Sequence, residues 1–168
     1  LCRNVEDEII PAIKSSQFAD EIIAVDTGST DRTLDICRRL GVKIVHTTTD
    51  SFAKWRNDGA KATKGEWLLY LDSDERIPVK LADEILSTIQ NPAHVAYTIS
   101  RYEVFLAKHL NHWGDSRVLR LMKRSALKRW EGKLHEQPKI DGTVGDLRQQ
   151  MVHLSHKNID EKLLNTLQ

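Results

Sequence analysis

Three short runs rich in β-branched and aromatic residues, separated by stretches of helical periodicity, constrain this chain more than any other feature. Ile22-Ile23-Ala24-Val25, Val42-Lys43-Ile44-Val45 and Trp67-Leu68-Leu69-Tyr70-Leu71 read as strands. Between the first two, Leu34, Cys37 and Leu40 recur at helical spacing, with Gly28-Ser29-Thr30-Asp31 as turn and cap and Gly41 placed to end the helix. Between the second and third, Ser51 is positioned to cap a helix carrying Phe52, Trp55 and Ala62, and Gly65 to stop it. Beyond the third, Pro78 stands near the start of a helix with Leu81, Ile85 and Ile89 on one face and Asn91-Pro92 as its exit. Strands joined through helices cannot pair as hairpins. The alternation therefore predicts an α/β fold with parallel pairing and right-handed crossovers.

The second half changes character. His94 to Tyr102 and Arg117 to Lys123 read as strands with no long helix between them, so the sheet is expected to be mixed, with an antiparallel part. Met151 to Leu154 is a further short strand, and Asp160 to Gln168 starts a helix with Leu163, Leu164 and Leu167 and then stops, as a fragment would. No repeat, low-complexity tract or linker marks a boundary, so one domain over 1–168 is expected, in compact or truncated form.

Composition narrows the partners. With 25 Lys and Arg against 24 acids, the net charge of +1 gives no reason to expect a nucleic-acid partner held by phosphate neutralisation. At 40% hydrophobic and 29% charged the chain is ordinary for a globular protein. Its longest apolar run is too short to cross a bilayer, and its first residues lack a signal-peptide pattern. Cys2 and Cys37 have no metal-ligand spacing, and Cys37 falls on an apolar helical face; free thiols in a reducing cytoplasm fit them better than a disulfide.

The chemistry concentrates where the third strand ends. Asp72-Ser73-Asp74 follows the most apolar stretch of the chain, and Glu75 comes next. In a strand, residues i and i+2 point to one side, so both aspartates can face one ligand at the carboxyl end of a sheet, where open α/β sheets bind. Two hard carboxylates there suit a divalent cation whose shell is completed by phosphate oxygens and water, or else form a solvated turn.

Three segments read together carry a resemblance. Val25-Asp26-Thr27-Gly28-Ser29-Thr30-Asp31 after a strand, Phe52-Ala53-Lys54-Trp55-Arg56-Asn57 at a helix start, and Gly65-Glu66-Trp67 through Asp72-Ser73-Asp74-Glu75 resemble family 2 glycosyltransferases of the GT-A fold. Arg117-Val118-Leu119-Arg120-Leu121-Met122 and Gly132-Lys133-Leu134-His135-Glu136 are similar to the branch that includes bacterial lipopolysaccharide-core and peptide glycosyltransferases. The resemblance covers nearly the whole chain. It implies a Rossmann-like nucleotide-diphospho-sugar transferase fold with a central mixed, mostly parallel sheet flanked by helices. One departure stands at the start: the family opens on a full apolar strand, whereas here only Leu1-Cys2 precede Arg3-Asn4, so most of that strand is expected to be missing from this sequence.

The resemblance also implies roles. Asp26 matches the aspartate that accepts a hydrogen bond from the nucleotide base, usually uracil; its alternative is an Asx-turn or helix cap, the simpler job for Asp31. Arg56 matches a basic residue near the nucleotide, Asp72 a sugar-nucleotide contact, and Asp74 the ligand of a divalent cation, Mn²⁺ or Mg²⁺. His153 lies where such enzymes often supply a further metal ligand, with His156 and His135 as competitors. Inverting transfer needs a base for the acceptor hydroxyl. Glu136 is the candidate and Asp115 the second, with Trp113 available as a sugar platform and Trp130 as core or lid packing.

The implied activity is metal-dependent transfer of a sugar, with inversion, from a nucleotide sugar, UDP-linked, to a glycan, lipid-linked or peptide acceptor in bacterial surface-glycan assembly. The implied location is cytoplasmic, with peripheral contact at the inner face of the membrane where lipid-linked acceptors sit. Two other readings compete. A haloacid-dehalogenase-type phosphatase also places Asp-x-Asp after an apolar strand, but usually after its first. A nucleotide-sugar-binding domain without turnover would share every motif above.

Overall fold

The computed structural model describes residues 1–49, 51–105, 108–109, 116–132 and 136–154. The expected helix over Asp160 to Gln168, and Trp113, Asp115, His135 and His156, lie outside them. In chain order the elements are α1 (Ile9–Ser15), β1 (Ile23–Asp26), α2 (Thr33–Arg39), β2 (Lys43–His46), α3 (Phe52–Ala62), β3 (Trp67–Leu69), β4 (Glu75–Arg76) and α4 (Val79–Gln90). There follow β5 (Ala96–Phe105), β6 (Lys108–His109), β7 (Arg117–Lys123), β8 (Leu127–Glu131), β9 (Gln137–Ile140) and β10 (Val144–Leu154).

The expected strand-helix alternation holds through α4, with ends shifted by a residue or two. β1 and β2 pair in parallel, and Leu1-Cys2 lie alongside: Cys2 N–H donates to the Val25 carbonyl at 3.0 Å and Thr27 N–H to the Cys2 carbonyl at 3.1 Å. On the other side, the Leu1 amino group donates to the Leu71 carbonyl at 3.3 Å, so these two residues run between β1 and the chain beyond β3. The larger sheet has the order β3-β7-β5-β10-β4, with β6 on β5.

The α/β class, the mixed sheet and its flanking helices stand as expected; the balance within the larger sheet differs from a mostly parallel one. Only β10 on β5 is parallel there, while β3–β7, β5–β7, β5–β6 and β10–β4 are antiparallel. Connectivity accounts for part of this: β5, β6 and β7 follow one another with no described helix between them and pair antiparallel, whereas β10 reaches β5 in parallel only after β8 and β9 intervene.

Both faces of this sheet are covered, and the period of two assigns the residues. Trp67 and Leu69 pack toward α4 with Tyr97, Leu121 and Met151, whereas Leu68 packs toward α3 with Ala96, Met122 and Trp130. That double burial makes Trp67 to Leu71 continuously apolar. On α4, Leu81 and Ile85 are fully buried, each contributing roughly 1.5–3 kcal/mol by leaving water. A third cluster joins α1 and α2 to β1 through Ile9, Ile13, Ala24, Cys37 and Val42. Both cysteines are free thiols. The packing leaves the carboxyl ends of β1 and β3 at one edge.

Candidate active site

Asp72, Ser73, Asp74 and Glu75 turn from β3 into β4, and this turn forms the floor of an open cavity of about 540 Å³. Arg56, Glu136 and His153 also line it, with Phe52 and Trp55 among its apolar residues. Five of the six residues singled out from the sequence thus meet in one place. Asp26 is the exception: its neighbour Thr27 lines the cavity, while the Asp26 carboxylate faces its own turn, accepting Gly28 N–H at 3.2 Å and Ser29 N–H at 3.0 Å. His46 Nδ1 lies 3.3 Å from the same carboxylate. Burial opposes ionisation of Asp26, but the bonds from Ser29 and Gly28 hold its carboxyl below the ordinary value. The Asx-turn alternative is therefore realised. Asp31 behaves similarly, accepting Thr33 N–H at 2.9 Å and Glu6 N–H at 3.0 Å.

A chain of alternating charges lines the cavity and continues beneath it. Arg56, on α3 and 4% exposed, donates Nε to Glu136 at 2.9 Å and Nη2 to both Asp72 oxygens at 3.1 and 3.2 Å. Its guanidinium lies 4.9 Å from the Trp130 ring centre and 5.8 Å from that of Tyr70, so an apolar box holds the cation in one pose. Asn57 fixes the box from the next position, donating to the Trp130 carbonyl at 3.0 Å and accepting the Trp130 N–H at 2.8 Å. Arg120, on β7, donates Nη2 to Asp72 Oδ2 at 2.6 Å and to Glu75 Oε1 at 2.7 Å. Burial would raise the Asp72 carboxyl; Arg120 and then Arg56 overcome it and hold Asp72 well below the usual carboxylate range. Glu75, 1% exposed, is pushed up by burial.

Asp74 has different company. It is 39% exposed, and its Oδ2 lies 3.2 Å from His153 Nε2, while His153 Nδ1 lies 2.6 Å from Glu103 Oε2. Strand register produces this: His153 on β10 stands opposite Glu103 on β5 and opposite Glu75 on β4. The bond to Asp74 first, then that to Glu103, raises the imidazole to about 9, against burial. Its folded value is above its unfolded one. The stabilisation is thus complete below about pH 6.5 and lost as pH rises through about 9. An NMR titration of the His153 ring in the metal-free protein should show a midpoint far above 6.5; one near 6.5 would mean that the two carboxylate contacts do not persist in solution.

Asp74 and His153 could hold a divalent cation in place of the proton that His153 carries at neutral pH. Two neighbouring ligands, each about 2.1 Å from an octahedral ion, stand about 3.0 Å apart; Asp74 Oδ2 and His153 Nε2 are at 3.2 Å. Glu103 behind Nδ1 is the carboxylate-histidine arrangement that orients a metal-binding imidazole. Asp72 does not fit direct ligation in this arrangement, since both its oxygens are held by arginines. Among the described residues no cluster of three or more His, Cys, Asp or Glu is arranged to hold an ion, so the remaining positions would fall to phosphate and water. Cys2 also lines the cavity, but burial pushes its thiol up to about 12, and it stays neutral.

A model of glycosyl transferase family 2 matches residues 1–149, which span every element up to the first half of β10. The chain belongs to glycosyl transferase family 2.

Similar proteins include one described as a glycosyltransferase. The chain is 34% identical over 155 residues to a TPR repeat-containing protein of Synechococcus elongatus, covering 89% of this chain and 37% of that protein. It is 35% identical over 86 residues to an uncharacterized glycosyltransferase of Rickettsia bellii, covering 51% of this chain and 29% of that one. The chain thus spans about a third of the length of these relatives. Among solved structures it resembles residues 1–349 of S. aureus TarS, with a TM-score of 0.64 at 18% identity over 92% of this chain and 58% of that one. It also resembles glucosyl-3-phosphoglycerate synthase of Mycobacterium tuberculosis in complex with Mn²⁺, UDP and glucosyl-3-phosphoglycerate. There the TM-score is 0.53 at 18% identity, over 75% of this chain and 55% of that one. At such identity the likeness is one of fold, the GT-A fold.

Within this family 2 fold, three residues that brace the site had no role legible in the sequence. Arg120 and Glu75 stand inside the family-like motifs without an assigned role, and Glu103 in none. Arg120 carried a signal, a charge in a strand between the apolar residues Leu119 and Leu121. Glu103 carried none, because only the β5–β10 register brings it to His153. His153 lies beyond the matched span, and its place rests on the geometry.

Proposed function

We propose that this chain is the donor-binding and catalytic domain, over 1–168, of a metal-dependent inverting glycosyltransferase that moves a sugar from a UDP-sugar to a glycan, lipid-linked or peptide acceptor in bacterial surface-glycan assembly. The observation that carries this reading is the convergence of Arg56, Asp72, Asp74, Glu136 and His153 on one cavity. Asp74 and His153 would hold Mn²⁺ or Mg²⁺. Held there, such an ion would supply charge neutralisation for the departing diphosphate.

The chain's own groups do the rest. Asp72, kept ionised between Arg56 and Arg120, offers fixed acceptors to the ribose or to ordered water. Arg56 brings positive charge to the nucleotide side and, through Nε, fixes the Glu136 carboxylate in the cavity that the Asp74–His153 pair also lines. Glu136 takes the acceptor hydroxyl's proton as that oxygen attacks the anomeric carbon from the face opposite the diphosphate, which gives inversion. Asp26 would act indirectly, shaping the turn that follows Thr27, a residue of the cavity lining. A cytoplasmic location, at the inner face of the membrane, suits a lipid-linked acceptor; among the described residues no helix is long and apolar enough to cross a membrane.

Calorimetry with a panel of nucleoside diphosphates, with and without Mn²⁺, tests the donor half of this reading. The expected result is binding that needs the ion and prefers UDP by about tenfold or more, roughly 1.4 kcal/mol. Equal binding of all diphosphates without metal would overturn it.

A further inference from the structure

Arg120 lies under the metal-binding turn, not in the cavity. It is 6% exposed, on the strand next to β3, and its backbone carbonyl accepts the Tyr70 N–H at 2.9 Å just before the turn begins. One nitrogen, Nη2, bridges Asp72 at 2.6 Å and Glu75 at 2.7 Å, the two acids that flank Ser73 and Asp74. Glu75 then closes a ring. Its Oε2 accepts the Asp72 N–H at 2.9 Å, and its own N–H donates to the Asp72 carbonyl at 3.0 Å. With both flanking side chains drawn inward, Asp74 is the acid left facing outward, where its carbonyl accepts the Leu154 N–H at 2.9 Å and its carboxylate meets His153. Arg120 Nε is buried without a partner among the described residues, so Asp72 and Glu75 anchor its guanidinium through Nη2.

We propose that Arg120 is a positioning residue: with Glu75 as its buried anchor, it clamps the Asp72–Glu75 turn so that Asp74 and His153 present their donor atoms together. The proposal rests on the donor-site reading above for its function, but the clamp itself has a readout that needs no ligand. A buried cation between two carboxylates can serve merely to neutralise them. Neutralisation alone is indifferent to the shape of the turn; a clamp is not.

The test uses the full chain and two variants. Arg120→Met leaves Glu75 buried and uncompensated and is expected to melt well below the parent protein. Arg120→Met combined with Glu75→Gln removes that unpaired charge, keeps an oxygen for the Asp72 N–H, and should recover most of the melting temperature. In the double variant the clamp predicts amide exchange at positions 75 and 154 at least about tenfold faster than in the parent. It also predicts Mn²⁺-dependent UDP affinity lowered about tenfold or more despite the recovered stability, a gap of roughly 1.4 kcal/mol. Parent-like exchange at both amides in the stable double variant would overturn the proposal and leave Arg120 as a counter-charge. If the parent itself binds no nucleotide, the donor-site reading fails, and amide exchange still decides the clamp.

Discussion

Asp74→Ala should eliminate the Mn²⁺ dependence of UDP binding and lower sugar transfer by roughly 10³-fold, while the protein remains folded. Several kcal/mol of charge stabilisation rest on a catalytic cation, and each 1.36 kcal/mol is a factor of ten in rate. Folding should tolerate the change because Asp74 is 39% exposed, its carboxylate pairs with His153, itself held by Glu103, and its backbone bond to Leu154 survives in alanine. Asp72→Ala is a different experiment, since it strips the buried Arg56 and Arg120 of a shared counter-charge and should cost stability as well as binding. Thermal melts run beside metal and nucleotide titrations separate the two effects. Transfer by Asp74→Ala with parent-like rate and metal dependence would remove Asp74 from the site.

The second large effect is expected at Glu136. Glu136→Gln keeps an oxygen to accept the Arg56 Nε hydrogen bond, so the wall stays in place at a cost of about 1 kcal/mol. It abolishes proton acceptance from the acceptor. Transfer should fall by about 10²–10⁴-fold, with UDP affinity within about threefold of the parent. Such a split, with binding kept and turnover lost, is what a base predicts; a residue that only supports Arg56 would lose both together. Retained turnover would take Glu136 out of the mechanism.

The geometry also bears on the competing readings. A phosphatase of the haloacid-dehalogenase type needs a nucleophilic aspartate open to its substrate, whereas the first acid of this motif, Asp72, has both oxygens engaged by arginines. Family membership points the same way. A binding domain without turnover would keep the Asp74 phenotype and lack the Glu136 one, so the two substitutions together distinguish a transferase from a binder.

What could be read along the chain is what local chemistry encodes. Helical periodicity and short β-branched or apolar runs, with Gly41, Ser51, Pro78 and Asn91 as punctuation, mark α2, α3, α4 and the first three strands to within a residue or two, because each is set by its own side chains and near neighbours. Asp72 and Asp74 were legible for the same reason: an apolar strand buried on both faces must end in polar residues at the sheet edge. Other elements were hidden. In α1, Ile9, Ala12 and Ile13 have helical spacing, but Pro11 and a short length blur it. In β8 and β9, Lys128, Arg129 and Lys139 face solvent and read as loop.

Tertiary structure alone decided the partnerships. Arg56 meets Glu136 across 80 residues, Arg120 meets Asp72 across 48, and His153 meets Asp74 across 79. No local propensity carries such pairings. They follow from strand register and from the α3–β8 packing that Asn57 and Trp130 hold, and register depends on which faces of distant strands bury together. The sequence determined by itself that acids and Arg56 would gather at the carboxyl edge of an α/β sheet; the fold decided that Asp72 is locked between two arginines while Asp74 faces a histidine, because only burial and register set which charge lies within hydrogen-bond reach of which.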